Sequence, residues 1–163
     1  MPKFASLDSV HKLGEWKGQF ERVLRWNERV QGNSPHLRDR AFATEDLDDI
    51  FAFFMNCYHL RDWLNNSKVV GQIKLDEFFR NNLEMQVCQD ICNGLKHYDL
   101  SRPKVDSEFK IGRQFEYTSG LLNKPYGGVG LFVIAGRDKY NLYELAEKCT
   151  HLWTEFLEMN GLV

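Results

Sequence analysis

The chain has 163 residues, 43% of them hydrophobic and 13% aromatic, enough to bury the core of one domain and too apolar for a disordered segment. A formal net charge of −2 with a pI near 6.2 excludes a global basic field that would gather nucleic acid by phosphate neutralisation. No apolar run approaches the roughly 20 residues of a membrane span, and the opening MPKFASLDSV lacks a signal-peptide core, so a cytoplasmic protein is expected.

Residues 9–31 place Leu13, Trp16, Phe20, Val23, Leu24 and Val30 at intervals of three and four, the pattern of an amphipathic helix, and Gly32 to Pro35 stops it. A polar loop with His36, Arg38 and Arg40 follows over 33–43. Thr44 is placed to cap a second helix whose first turn carries Glu45 and Asp46, where negative charge suits the helix N-terminus. That helix runs to about Asn65. Leu47, Ile50, Phe51, Phe54, Cys57, Tyr58 and Leu64 form its apolar stripe, and His59 and Asp62 are neighbours on another face. Arg61 falls inside the stripe. Either its stem packs while its charge reaches outward, or the guanidinium points into a cleft between helices and needs a partner there.

Residues 74–80 read as one or two further helical turns. Asn81 and Glu84 have capping-box spacing, so a fresh helix is expected over Leu83 to Tyr98, LEMQVCQDICNGLKHY. Val87, Cys88, Ile91, Cys92, Leu95 and Tyr98 make its core stripe, with Gln86, Asp90, Asn93 and His97 opposite and Lys96 beside them. After a break at Ser101 to Pro103, Glu108 to Tyr117 alternates with a period of two, and Val129 to Ala135 is almost wholly apolar. Asn123, Pro125, Gly127 and Gly128 supply turn chemistry between these two strands. The glycines at 127–130 precede a strand, whereas a phosphate loop leads into a helix with Lys and Ser or Thr behind it, so that reading is rejected. Asn141 and Glu144 cap a last helix, with Leu142, Leu145, Ala146, Cys149, Leu152, Trp153 and Phe156 on one side and an end near Gly161. The expected fold is therefore mainly α: one domain over 1–163, an antiparallel bundle of four main helices with a β-hairpin inserted at about 107–135 before the last helix.

Cys57, Cys88, Cys92 and Cys149 each fall on or beside an apolar helical face, and none forms a CxxC pair. Buried thiols are expected, with no metal and no cofactor. Short connections place the second helix beside Leu83 to Tyr98, bringing His59, Arg61 and Asp62 toward Asp90, Asn93 and His97. A carboxylate orients an imidazole and raises its basicity, so Asp62 or Asp90 paired with His59 or His97 would make a general acid or base. The same residues also read as a local surface pair, His59 with Asp62, and as helix C-terminal charge complementation by Lys96 and His97.

CNGLKH at 92–97, following YHLRDWL at 58–64 in a helical frame, resembles the HEPN superfamily, whose bundles often carry an R-N-x-x-x-H motif. With NLYELAEKCTHLWTEFL near the end, the resemblance spans residues 44–98 and 140–162 and extends to bacterial proteins of this type. Asn93 matches the motif's polar position and His97 its histidine, while Cys92 stands at the arginine position. The resemblance implies a homodimer and either of two roles. One is a module of a bacterial defence or toxin-antitoxin type system that binds a nucleotide, nucleic acid or partner, with His59, Asp62, Asp90 and Lys96 as binding groups. The other is a metal-independent ribonuclease with a modified site, in which His97 transfers protons, Asn93 holds a phosphate or ribose oxygen, and Arg61 or Lys96 replaces the motif arginine. A third reading is a purely structural dimerisation protein whose tryptophans, Trp16, Trp26, Trp63 and Trp153, cover the interface.

Overall fold

Apolar residues recurring every third and fourth position give a computed structural model made mainly of helices, which describes residues 15–34, 44–97, 110–118, 126–135 and 138–163. The helices are α1 (Glu15–Gly32), α2 (Thr44–Asn66), α3 (Gln72–Asn81), α4 (Leu83–His97) and α5 (Leu142–Met159). Residues 9–14, the Thr44 side chain, the loop at 35–43, Tyr98, the break at Ser101 to Pro103, and Asn123 and Pro125 lie outside the described residues, as do the side chains of Leu95, Lys96 and His97.

The mainly α architecture agrees with the helical periodicity, and two details extend it. The turns expected at 74–80 form a full helix of 10 residues, α3. The hairpin, β1 (Lys110–Thr118) and β2 (Tyr126–Ala135), gains a third strand, β3 (Asp138–Asn141), in an antiparallel sheet of order β1-β2-β3. Lys110 pairs with Ile134 and Thr118 with Tyr126, while Phe132 pairs with Asn141 and Ala135 with Asp138. Val133 of β2 is fully buried and joins the helical core, anchoring to the helices a sheet that two strands alone would leave marginal.

Helix ends explain how the chain turns between these elements. At α2, Ser67 N–H reaches the Trp63 carbonyl at 2.9 Å and Lys68 takes a left-handed φ of 58°, a conformation few non-glycine residues adopt. The chain then enters α3. The break between α3 and α4 falls at Asn82 rather than at the Asn81 expected as a cap. Asn82 is extended, its Nδ2 donates to the Phe78 carbonyl at 2.7 Å, and its own carbonyl accepts from Met85 and Gln86. Asn141 caps α5 as expected, accepting from the N–H groups of Tyr143 and Glu144. Gly161, with φ of 67°, closes its far end through Gly161 N to Glu158 O and Leu162 N to Leu157 O, a Schellman arrangement.

The core lies where α2, α4 and α5 meet, with α1 covering α2 and α5. Phe53, Phe54, Leu60, Leu64, Met85, Ile91 and Trp153 are all fully buried there. Trp153 is the central ring: it stands 4.7 Å from Phe78 and 5.8 Å from Phe79, and its indole N–H donates to the Cys57 carbonyl at 3.0 Å. Trp16 is buried as well, while Trp26 and Trp63 are half-buried against the core. Two of the four tryptophans proposed for a dimer face are thus spent on the monomer interior.

Candidate functional site

Helix α2 brings Tyr58 and Arg61 to the side where α3 and α4 pack. Tyr58 Oη accepts from Gln89 Nε2 of α4 at 3.1 Å, and its ring meets Phe79 of α3 edge-on at 5.7 Å. Burial raises the Tyr58 phenol above its ordinary range, against the opposing charge of Arg61. One turn on, the Arg61 guanidinium lies 5.6 Å from the centre of the Phe79 ring and is paired with Asp76. Gln72 holds the same Asp76 oxygen at 2.9 Å.

These contacts shape an open cleft of about 270 Å³ lined by Arg61, Asp76, Phe79, Arg80, Gln86 and Gln89. Its electrostatics are asymmetric: two guanidinium groups face one carboxylate. Arg61 Nε is buried and has no hydrogen-bond partner. An N–H buried in this way costs about 1–3 kcal/mol, and the Arg61 side chain also hydrogen-bonds Tyr58, which partly offsets the upward pull of burial on that phenol. Arg80 is mostly exposed, tethered only loosely to Glu77 at 3.9 Å.

The residues expected to converge are distributed more widely. Arg61 enters the cleft, so the stripe position does aim a guanidinium between helices. His59 Nδ1 and Asp62 Oδ2 form a local pair at 3.3 Å whose side chains are 45% and 58% exposed. Asp90, expected opposite the core stripe of α4 with Gln86, Asn93 and His97 and turned toward the second helix, is fully buried. Helix α4 packs against α2, α3 and α5, and of its polar side Asp90 is fully covered while Gln86 and Asn93 stay half-buried. Asn93 is half-buried and is not part of the cleft lining. The backbone of His97 lies eight residues beyond Gln89, roughly 12 Å further along the helix axis at 1.5 Å per residue, so Arg61 and His97 occupy different levels of the bundle. The side chains of Lys96 and His97 lie outside the described residues. No family model, curated protein or solved structure matches this chain.

The features that the sequence pattern did not reveal are Asp76, Arg80 and Gln89 around the cleft, and the company kept by the cysteines. Arg80 and Gln89 read as ordinary surface residues of separate helices until α3 and α4 are folded against α2. All four cysteines are buried free thiols, as their apolar faces imply. Cys57, Cys88 and Cys149, from α2, α4 and α5, have their sulfur atoms within 4.8 Å of one another. Cys88 Sγ approaches the Phe54 carbonyl at 3.7 Å and Cys149 Sγ the Glu84 carbonyl at 3.6 Å. Burial pushes the Cys88 and Cys149 thiols well up. It pushes Cys57 the same way, but hydrogen bonds from Cys149, Cys88 and Trp153 outweigh it and bring that thiol down to about 5.

Proposed function

We propose that this chain is a HEPN-like binding module of a bacterial defence or toxin-antitoxin type system, and that the cleft between α2, α3 and α4 holds a phosphate-bearing ligand, a nucleotide or a segment of RNA. The observation that carries the reading is Arg61: a guanidinium fixed by Asp76 and Phe79 in the lining of an open cleft that a second arginine, Arg80, also lines. A planar fork of donors suits a phosphate group, and an anchored one loses little freedom on binding. Gln86 and Gln89 add amide groups able to accept from or donate to a base or ribose. Binding is localised to one cleft, which fits a chain with net charge −2.

The alternative, a ribonuclease using His97, would need Arg61 and His97 at one phosphate. Their separation along the bundle favours binding without turnover within one chain. The homodimer belongs to the same proposal, and light scattering at dilute concentration measures it.

The test is calorimetric titration of the full chain with ATP and with a short single-stranded RNA. Saturable binding that weakens about tenfold in Arg80→Ala, with the RNA intact afterwards, is the expected result. No binding of either probe would overturn the reading. RNA cleavage lost in His97→Ala would replace it with the ribonuclease.

A further inference from the structure

The thiols of Cys57, Cys88 and Cys149 stand apart from the cleft and call for their own account. They come from three different helices and are separated in sequence by 31 and 61 residues, so no local spacing brings them together; the packing of α2, α4 and α5 does. Each is fully buried, and their sulfur atoms lie within 4.8 Å of one another. A metal–sulfur bond of about 2.3 Å in a trigonal arrangement sets sulfur atoms about 4 Å apart. The three sulfurs therefore stand close to the spacing of a three-coordinate centre and need shift by less than about 1 Å to reach it.

We propose that Cys57, Cys88 and Cys149 form a binding site for one thiophilic ion satisfied by three sulfur ligands, the chemistry shared by monovalent copper and trivalent arsenic. Soft thiolates select soft ions over magnesium or calcium, which take oxygen ligands. Zinc is the poorer fit: structural zinc takes four ligands, and catalytic zinc keeps an open position for water. Among the described residues the group has three members, and none of them reaches solvent. Cys92 is also buried but does not belong to the group, which makes it an internal control.

The chemistry balances without a redox partner. For arsenic supplied as As(OH)3, three As–O bonds are replaced by three As–S bonds, the three hydroxyls leave as water with protons from the thiols or, where Cys57 is already a thiolate, from solvent, and no electrons are transferred. The product is neutral, which suits a site closed to water. For Cu(I), the metal keeps its oxidation state and the displaced thiol protons go to solvent.

The burial that makes the site dry also closes it, so the ion is supplied in two ways: to the folded chain, and during refolding from denaturant. The experiment uses the full chain under anaerobic reducing conditions with Cu(I), arsenite and Zn(II) in separate arms, read by native mass spectrometry and by thermal melting. One equivalent of Cu(I) or of arsenic per chain, with a rise in Tm of about 5 °C or more, is expected; which arm responds identifies the ion. Loss of an outer-shell partner costs 10–100-fold in metal affinity, so loss of a ligand should cost about 100-fold or more. Cys88→Ala and Cys149→Ser should each lose the ion while Cys92→Ala keeps it, the fold of every variant being checked by circular dichroism. Failure of both ions by both routes, tighter binding of Zn(II) than of either, or retention that does not distinguish Cys88→Ala and Cys149→Ser from Cys92→Ala would overturn the assignment.

Discussion

The Arg61 cleft and the thiol centre share helix α2, Arg61 lying one turn beyond Cys57, and they handle polar chemistry in opposite ways. In the cleft, charge is kept near water: Arg61 is tied to Asp76, Arg80 is left almost free, and the remaining demand is one buried N–H. At the thiol centre no water reaches the sulfurs, so the groups serve one another and nearby carbonyls. A cleft of the first kind exchanges ligands readily with little change to the fold. A centre of the second kind is part of the fold, and altering it alters stability.

That contrast predicts a graded set of effects. The largest belongs to the interior. Trp153→Ala removes a fully buried ring, its contacts with Phe78 and Phe79, and the donor to the Cys57 carbonyl; it should cost about 3–5 kcal/mol, read as a drop in the urea midpoint. Next is the response of the centre to alkali. Burial raises Cys88 and Cys149 above the ordinary thiol value of 9.0. A raised pKa gives stability that is complete below that ordinary value and is lost as pH rises beyond it. Wild type should therefore lose up to about 1.4 kcal/mol per pH unit for each such thiol above pH 9. The Cys88→Ala, Cys149→Ala double variant should show a shallower alkaline slope in urea midpoint against pH.

Smaller still is the Asn141 cap of α5. Asn141→Ala should cost about 1 kcal/mol, because two helix N–H groups lose their acceptor. At the open side the effect on stability nearly vanishes. Arg80→Ala should change it by less than about 0.5 kcal/mol while weakening the cleft's ligand. A comparably small effect is expected for His59→Ala, where both partners of the pair with Asp62 are about half exposed; a change in stability above about 1 kcal/mol would show that the pair does more than decorate α2.

The physics of each element decides what could be read from the sequence. The helices follow from their apolar period, and the start and end of α5 follow from Asn141 and Gly161, because caps are local. Strand β3 escapes notice because Asp138–Asn141 is four residues long, polar, and makes sense only against β2. Asp90 shows the limit of periodicity: the pattern separates the faces of α4 but cannot say that both have neighbours, and the structure buries Asp90 completely. Arg61 was legible as an anomaly, since a guanidinium inside an apolar stripe demands a partner. Its partner, Asp76, was not, because the pairing depends on how α3 folds back across α2. The thiol centre is the extreme case: three apolar-face cysteines look like ordinary core residues until three helices are packed together.

In the proposed reading the cleft, not the buried centre, meets a phosphate-bearing ligand. The direct measurement is paired calorimetric titration of wild type, Arg80→Ala and Cys88→Ala with ATP and single-stranded RNA, each variant having first been shown to be folded. Wild type and Cys88→Ala should bind with similar affinity, and Arg80→Ala about tenfold more weakly. Equal affinity in wild type and Arg80→Ala, or no binding to any of the three, would contradict that reading.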